Sequence, residues 1–205
     1  MTVELQAILF DMDGVLVDSR DSWHGALNEA LQAYGHGPLS MEEFLSTYWG
    51  DDLRAILSSL GLPLGIADFC LATYPNHTGA VRLFQETKGV LGMLTAYRKA
   101  VVTNTPRSCT SQILSAFGLE DAFDAVVTSD MVPRGKPHPD MLIRASESLG
   151  IPLPSCIMVG DTEMDVRAAR AAGIPVVGIG IEADMTIGAL SELPYALKRW
   201  SHQGG

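Results

Sequence analysis

Four short polar segments of the chain carry residue types that can do chemistry. The first is Asp11-Met12-Asp13-Gly14, where two carboxylates stand two residues apart directly after an apolar run at 5–10. Like charges held that close repel and disturb each other's protonation. A divalent cation relieves the repulsion, and hard oxygen ligands suit magnesium. A carboxylate can also serve as a covalent nucleophile in phosphoryl transfer. Gly14 permits a tight turn that brings backbone amides close to a phosphate. The plain alternative is a polar turn leaving a strand.

The other three segments are less telling singly. In Thr103-Asn104-Thr105 a hydroxyl and an amide can hydrogen-bond phosphate oxygens, or Thr103 or Thr105 can simply cap a helix starting at Pro106. In Arg134-Gly135-Lys136-Pro137-His138-Pro139 the lysine, one of four in the chain, is flanked by proline. It can face a phosphate or a carboxylate, or be an ordinary loop lysine; His138 reads as a residue at the start of a helix. In Gly160-Asp161-Thr162-Glu163-Met164-Asp165 two acids lie four apart and share a face if a helix begins there. They can complete a metal site, cap the helix, or do both.

These segments need elements to hold them. Short apolar runs at 5–10, 100–102, 125–127, 156–159 and 175–179 end in polar residues or glycine and read as buried strands of a parallel sheet. Helical patterns at 106–117, 137–149 and 163–172 are each followed by glycine. Strand and helix in alternation predict an open α/β sheet, in which ligands bind beyond the carboxyl ends of the strands. Three of the polar segments fall at or just after such ends, and the lysine segment precedes a helix. Between 19 and 79 the alternation stops and helical spacings take over, as in Trp23, Leu27, Ala30, Leu31 and Tyr34. That stretch predicts a helical module inserted after the first strand, leaving 1–18 and 80–205 as the core.

The bulk numbers agree with such a protein. The 205 residues are 47% hydrophobic and 19% charged, and 24 acids against 14 bases give a formal net charge of −10. A chain this acidic has no electrostatic reason to bind nucleic acid or an anionic membrane surface, and no apolar stretch approaches the ~20 residues of a membrane span. Three scattered cysteines, Cys70, Cys109 and Cys156, argue against a disulfide framework or zinc site and suit a reducing cytoplasm. The first residues lack the basic leader and long apolar run of a signal peptide. An amphipathic helix through Leu190, Leu193, Leu197 and Trp200 is expected to pack on the core, with 201–205 frayed. Oligomeric state is not legible.

Taken together, Asp11-Met12-Asp13-Gly14-Val15-Leu16-Val17-Asp18-Ser19, Thr103-Asn104, Lys136-Pro137, and Gly160-Asp161 with Asp165 resemble, in order, the four motifs of the haloacid-dehalogenase superfamily. The helical insert resembles the helical cap of its subfamily I, and the overall pattern is most similar to the phosphoglycolate-phosphatase-like branch. The resemblance implies a Rossmann-like core and a magnesium-dependent phosphatase acting on a small phosphorylated metabolite. Asp11 would be the nucleophile and Asp13 the general acid and base. Thr103, Asn104 and Lys136 would bind the phosphate. Asp11, Asp13 (through its carbonyl), Asp161 and Asp165 would hold Mg2+. An aspartate at position 13 is not the dehalogenase pattern. The absence of lysine between Ser19 and Thr87 argues against Schiff-base phosphonate cleavage. Phosphosugar mutation and a non-catalytic binding module remain the alternatives. Arg54 is the candidate cap cation for the substrate, or else a solvated arginine. Trp23, Tyr48 and Trp49 can line a pocket or form cap core.

Overall fold

A computed structural model describes residues 4–203. Eight strands and nine α-helices follow one another along it. The order is β1 (Ala7–Phe10), β2 (Val17–Asp18), α1 (Arg20–Ala33), α2 (Met41–Glu43) running into a π-helical turn at Phe44–Tyr48, α3 (Leu53–Ser59) and α4 (Gly65–Thr73). Then come β3 (Arg82–Leu83), α5 (Thr87–Met93), β4 (Arg98–Thr103), α6 (Arg107–Phe117), β5 (Ala125–Thr128) and α7 (Asp140–Leu149). The last are β6 (Cys156–Gly160), α8 (Glu163–Ala172), β7 (Val176–Ile179), β8 (Met185–Ile187) and α9 (Leu193–Gln203).

Six strands form one parallel sheet in the order β5-β4-β1-β6-β7-β8. It is the open α/β sheet expected from the alternation. β1 lies centrally, paired to β4 on one side and β6 on the other. The chain first builds outward to β5 and then crosses back to β6, so the ends of β1, β4 and β6 meet where the winding direction changes, the place where such sheets take ligands.

Side chains alternate between the two faces with the period of two a strand imposes. Ile8, Phe10, Val101, Ile157 and Val159 enter one apolar cluster, which continues through the helical insert to Leu57, Ile66 and Tyr74. Ala7, Leu9, Val102, Cys156 and Met158 enter another, with Met141 and Leu142 of α7 and Val166 of α8. Covering both faces is what makes these strands continuous apolar runs.

The structure corrects several details. α7 starts at Asp140 rather than 137, because Pro139 disfavours helical backbone at the residue before it. The ribbon β2–β3, pairing Val17 with Leu83 and Asp18 with Arg82, is too short to leave a sequence pattern; through it the two connections to the helical insert run side by side. β8 was also missed. It is a three-residue strand reached by a tight loop, and a Cβ on Gly178 would collide with Ile181 and Ala183 of that loop. Leu190, Leu193 and Leu197 are buried as expected. The backbone stays helical through Gln203 where fraying was expected from 201, while residues 204–205 lie outside the described residues. No helix among the described residues is long and apolar enough to cross a membrane.

Candidate active site

β1 delivers Asp11 to the carboxyl edge of the sheet, with 4% of its surface exposed. Its Oδ1 accepts the Met12 N–H at 2.7 Å and lies 2.9 Å from Lys136 Nζ. Lys136, also 4% exposed, donates in addition to Asp165 Oδ1 at 2.6 Å. One buried ammonium is thus clamped between two buried carboxylates. Burial alone would lower its pKa, but Asp11 and Asp165 together hold it above the ordinary lysine value, so it stays charged at any working pH.

Asp165 is fully buried at the third position of α8. Its Oδ2 accepts the Thr162 N–H at 3.1 Å and the Thr162 hydroxyl at 2.8 Å, closing a reciprocal cap at the start of the helix. Both of its oxygens are therefore taken by donors of the chain. The metal and capping readings of Asp165 are not equal here: capping is directly visible.

Asp161 differs. Its Oδ2 accepts the Trp49 indole N–H at 3.1 Å, and its Oδ1 is buried with no hydrogen-bond partner. An orphaned carboxylate oxygen of this kind calls for an explanation such as an ion. Oxygens of Asp11, Asp161 and Asp165 lie within 4.8 Å of one another. Burial, followed by repulsion from Asp165, pushes the Asp161 carboxyl up to about 7. Burial likewise raises Asp11 well above the usual carboxylate range, against the pull of Lys136. An orphan oxygen in a set of hard, mutually repelling carboxylates fits a magnesium ion.

This excess of negative charge fixes the sign of a pH effect. Asp161 is harder to ionise in the fold than in the open chain, so its contribution to stability is fullest below pH about 4 and disappears as the pH rises through about 7. In chelator, wild type should lose stability relative to Asp161→Asn between those limits. Magnesium should act in the opposite sense, stabilising wild type most above pH about 7, where the carboxylate is ionised. Thermal melts of both proteins at pH 5 and pH 8, in chelator and in magnesium, test this; parallel pH curves for the two proteins would contradict it.

Gly14 lets Asp161 approach. It has φ +81°, and a Cβ there would collide with the Asp161 carboxylate. Gly14→Ala should lose about 1–2 kcal/mol from the left-handed backbone alone and weaken magnesium binding. A melt combined with a magnesium titration checks both effects.

Asp13 is held apart from this cluster. Its Oδ2 accepts the Thr105 hydroxyl at 2.7 Å and the Thr103 hydroxyl at 3.2 Å, and its Oδ1 accepts from Ser19. Thr103 is thereby committed to Asp13, and its Oγ also accepts the Thr105 N–H. Sequence reasoning did not give Thr105 and Ser19 this part. The signal available was Thr105 itself, a second hydroxyl two residues beyond Thr103, which an extended chain places on the same side.

Asn104 binds backbone. Its amide nitrogen donates to the Gly50 carbonyl at 2.8 Å and the Lys136 carbonyl at 3.0 Å, and its oxygen accepts the Lys136 N–H at 2.9 Å. One side chain thus positions the lysine and fastens the insert over the sheet. The insert closes tightly there, since a Cβ on Gly50 would crowd Thr162.

Beneath the insert lies a cavity of about 60 Å³ lined by Asp11, Asp13, Lys136, Thr103, Thr105 and Asn104 below and by cap residues above, Trp23, Tyr48 and Trp49 among them. All three aromatic candidates therefore line the pocket. Arg54 does not. Its side chain is 69% exposed, 3.9 Å from Asp68, in a wide groove that adjoins the chamber at Asp51, Asn104 and Lys136.

A parallel sheet with a helical insert and an aspartate cluster at its carboxyl edge has a known family. The family model described as haloacid dehalogenase-like hydrolase matches residues 8–179, and the chain belongs to that family. Among curated proteins it is similar to a phosphoglycolate phosphatase of Neisseria meningitidis, 31% identical over 199 residues, covering 89% of this chain and 84% of the relative. Another similar phosphoglycolate phosphatase, from Cereibacter sphaeroides, is 32% identical and covers 83% of each chain. A subfamily IA hydrolase structure from Geobacter sulfurreducens superposes with a TM-score of 0.78 at 25% identity, covering 94% of this chain and 99% of that one. A hydrolase structure from Pseudomonas syringae reaches a TM-score of 0.84 over 95% and 98% of the two chains; at 24% identity it shows the fold alone.

Proposed function

We propose that the chain is a magnesium-dependent phosphatase that hydrolyses a small phosphate monoester through a phosphorylated Asp11. The observation behind this reading is that four aspartates at one sheet edge occupy four different environments. Asp11 is buried against one ammonium, Asp13 sits among hydroxyls, Asp161 keeps an orphan oxygen, and Asp165 braces Lys136. A structural cluster has no need of such differentiation; a two-step phosphoryl transfer does.

Asp11 Oδ1 is occupied by Met12 and Lys136, which leaves Oδ2 as the attacking oxygen. It bonds to phosphorus as the ester P–O bond breaks, and Asp13 gives a proton to the departing alcohol. Asp13 then takes a proton from water, the water oxygen bonds to phosphorus, and Asp11 leaves with phosphate released. Lys136 offsets charge on the transferring group and stays ionised throughout. Asp11, the Asp13 carbonyl and Asp161 would hold magnesium, with Asp165 behind them; the ion would supply further positive charge to the phosphoryl oxygens. The insert excludes water from the chamber when closed. Three buried free thiols suit a reducing compartment such as the cytoplasm.

The mutase alternative requires the cap to hold a second phosphate, and neither cap arginine lines the chamber. A panel of small phosphate esters, assayed with and without magnesium, tests the reading. Magnesium-dependent phosphate release from at least one of them is expected; a folded protein that releases none would overturn the proposal.

A further inference from the structure

The chamber over Asp11 has two unlike halves. Below are Asp11, Asp13 and Lys136; above are the apolar faces of Trp23, Leu27, Phe44, Tyr48, Trp49 and Ile56. The roof is built rather than incidental. Trp23 stacks on Tyr74 with ring centroids 4.1 Å apart, and Phe44 meets Trp49 edge-on at 5.9 Å. The π turn contributes too, because its wider winding sets Phe44 and Tyr48 on one side, both buried.

The roof brings one carboxylate to the chamber, Asp51. Burial and the adjacent Asp52 raise its pKa, which Arg167 offsets only in part. The cap's two arginines are both paired with acids. Arg20 pairs with Asp18 at 2.5 Å and Arg54 faces Asp68. His77 is bound to Glu29 at 2.6 Å, and His24 contacts the Leu39 carbonyl at 2.9 Å. Lys136, the one cation lining the chamber among the described residues, is committed to Asp11 and Asp165.

A phosphoryl group finds positive charge at the floor. A second anion, carried on the leaving alcohol, would find aromatic rings and the Asp51 carboxylate. Burying a carboxylate without a partner is unfavourable, and a like charge alongside adds repulsion. The size of the space acts in the same direction: about 60 Å³ is far below the roughly 300–1,000 Å³ of pockets for drug-sized ligands.

We infer that the chamber selects phosphate monoesters of small, uncharged, apolar alcohols, and that Asp51 turns away esters whose alcohol bears a carboxylate. This rests on the phosphatase reading and names its substrate class. It also separates this chain from relatives named for phosphoglycolate, since 2-phosphoglycolate is a carboxylate-bearing ester of the disfavoured kind.

The test pairs isobutyl phosphate with 2-phosphoglycolate, which are close in size and shape but differ in the charge of the alcohol. Wild type with magnesium should show kcat/KM at least about tenfold higher for isobutyl phosphate. Asp51→Asn should narrow that ratio by about threefold or more by raising the 2-phosphoglycolate value, and Asp51→Lys should narrow it further. A wild type that prefers 2-phosphoglycolate, or treats the two alike, would overturn the inference, as would an unchanged ratio in Asp51→Asn. The same pair is titrated against Asp11→Asn by fluorescence of Trp23 and Trp49. Tighter binding of isobutyl phosphate is expected, and equal or tighter binding of 2-phosphoglycolate would again overturn the inference. If wild type hydrolyses neither ester, the binding preference alone decides the inference; the phosphatase reading fails only if no ester of the wider panel is hydrolysed either.

Discussion

Asp11→Asn should fold at least as well as wild type and lose phosphate release by about 10⁴-fold or more, the scale seen when a covalent nucleophile is removed. The two halves of this result have one origin. Asp11 is buried within reach of Asp13, Asp161 and Asp165 with a single ammonium in contact, so its charge is disfavoured in the fold and retained for use. An amide of the same shape gives up the nucleophile and also the repulsion. In chelator at pH 8 the variant's melting temperature should equal or exceed that of wild type. A large fall would mean that Asp11 is a structural partner of Lys136, and the inactivity would then say nothing about nucleophilic attack.

Lys136→Met should do the opposite to stability. It removes the cation between two carboxylates whose side chains are 6% and 0% exposed. Breaking a buried pair by deleting one partner typically costs about 3–5 kcal/mol, a large share of the roughly 5–15 kcal/mol that holds a domain folded. The loss should shrink at low pH, where the stranded carboxylates take up protons. Adding Asp165→Asn should restore part of it, because one of the two uncompensated charges is then gone, and the two changes should be non-additive as expected for groups in contact. Turnover should fall by about 10²–10³-fold even where the protein is folded. Chemical denaturation of the single and double variants at pH 5 and pH 8 separates these effects. A variant that melts like wild type would show that the lysine contributes little to the fold.

The two results separate what the sequence makes legible from what it does not. The sheet is legible because β1, β4, β5, β6 and β7 are buried on both faces and so read as unbroken apolar runs. The places of Asp11, Asp161 and Asp165 are legible because each follows such a run, and that of Lys136 because it precedes a helix between two of them. Their partners are not. That Asp165 serves Lys136 depends on how β5, β6 and α8 stand relative to one another, which no spacing along the chain encodes; its part in the Thr162 cap, three residues away, is local and legible. Asn104 is the clearest case. Its type suggested a phosphate ligand, yet its amide holds the backbone of Gly50 and Lys136, contacts spanning 54 and 32 residues of sequence. Arg54 stands out in the sequence as a cation in an acidic module, but charge count carries no direction, and its side chain faces solvent and Asp68. The strands β2, β3 and β8 are two or three residues long, shorter than any window in which a period of two can be recognised.

The central claim is that Asp11 itself carries the phosphoryl group. Wild type should be mixed with p-nitrophenyl phosphate and magnesium, quenched in acid within milliseconds, digested, and the phosphorylated residue located by mass spectrometry, with Asp11→Asn treated in parallel. A phosphoryl group on Asp11 of wild type, and on no residue of the variant, is the predicted result. Ester hydrolysis that proceeds with no phosphoryl group on Asp11, or with the group on another residue, would contradict it.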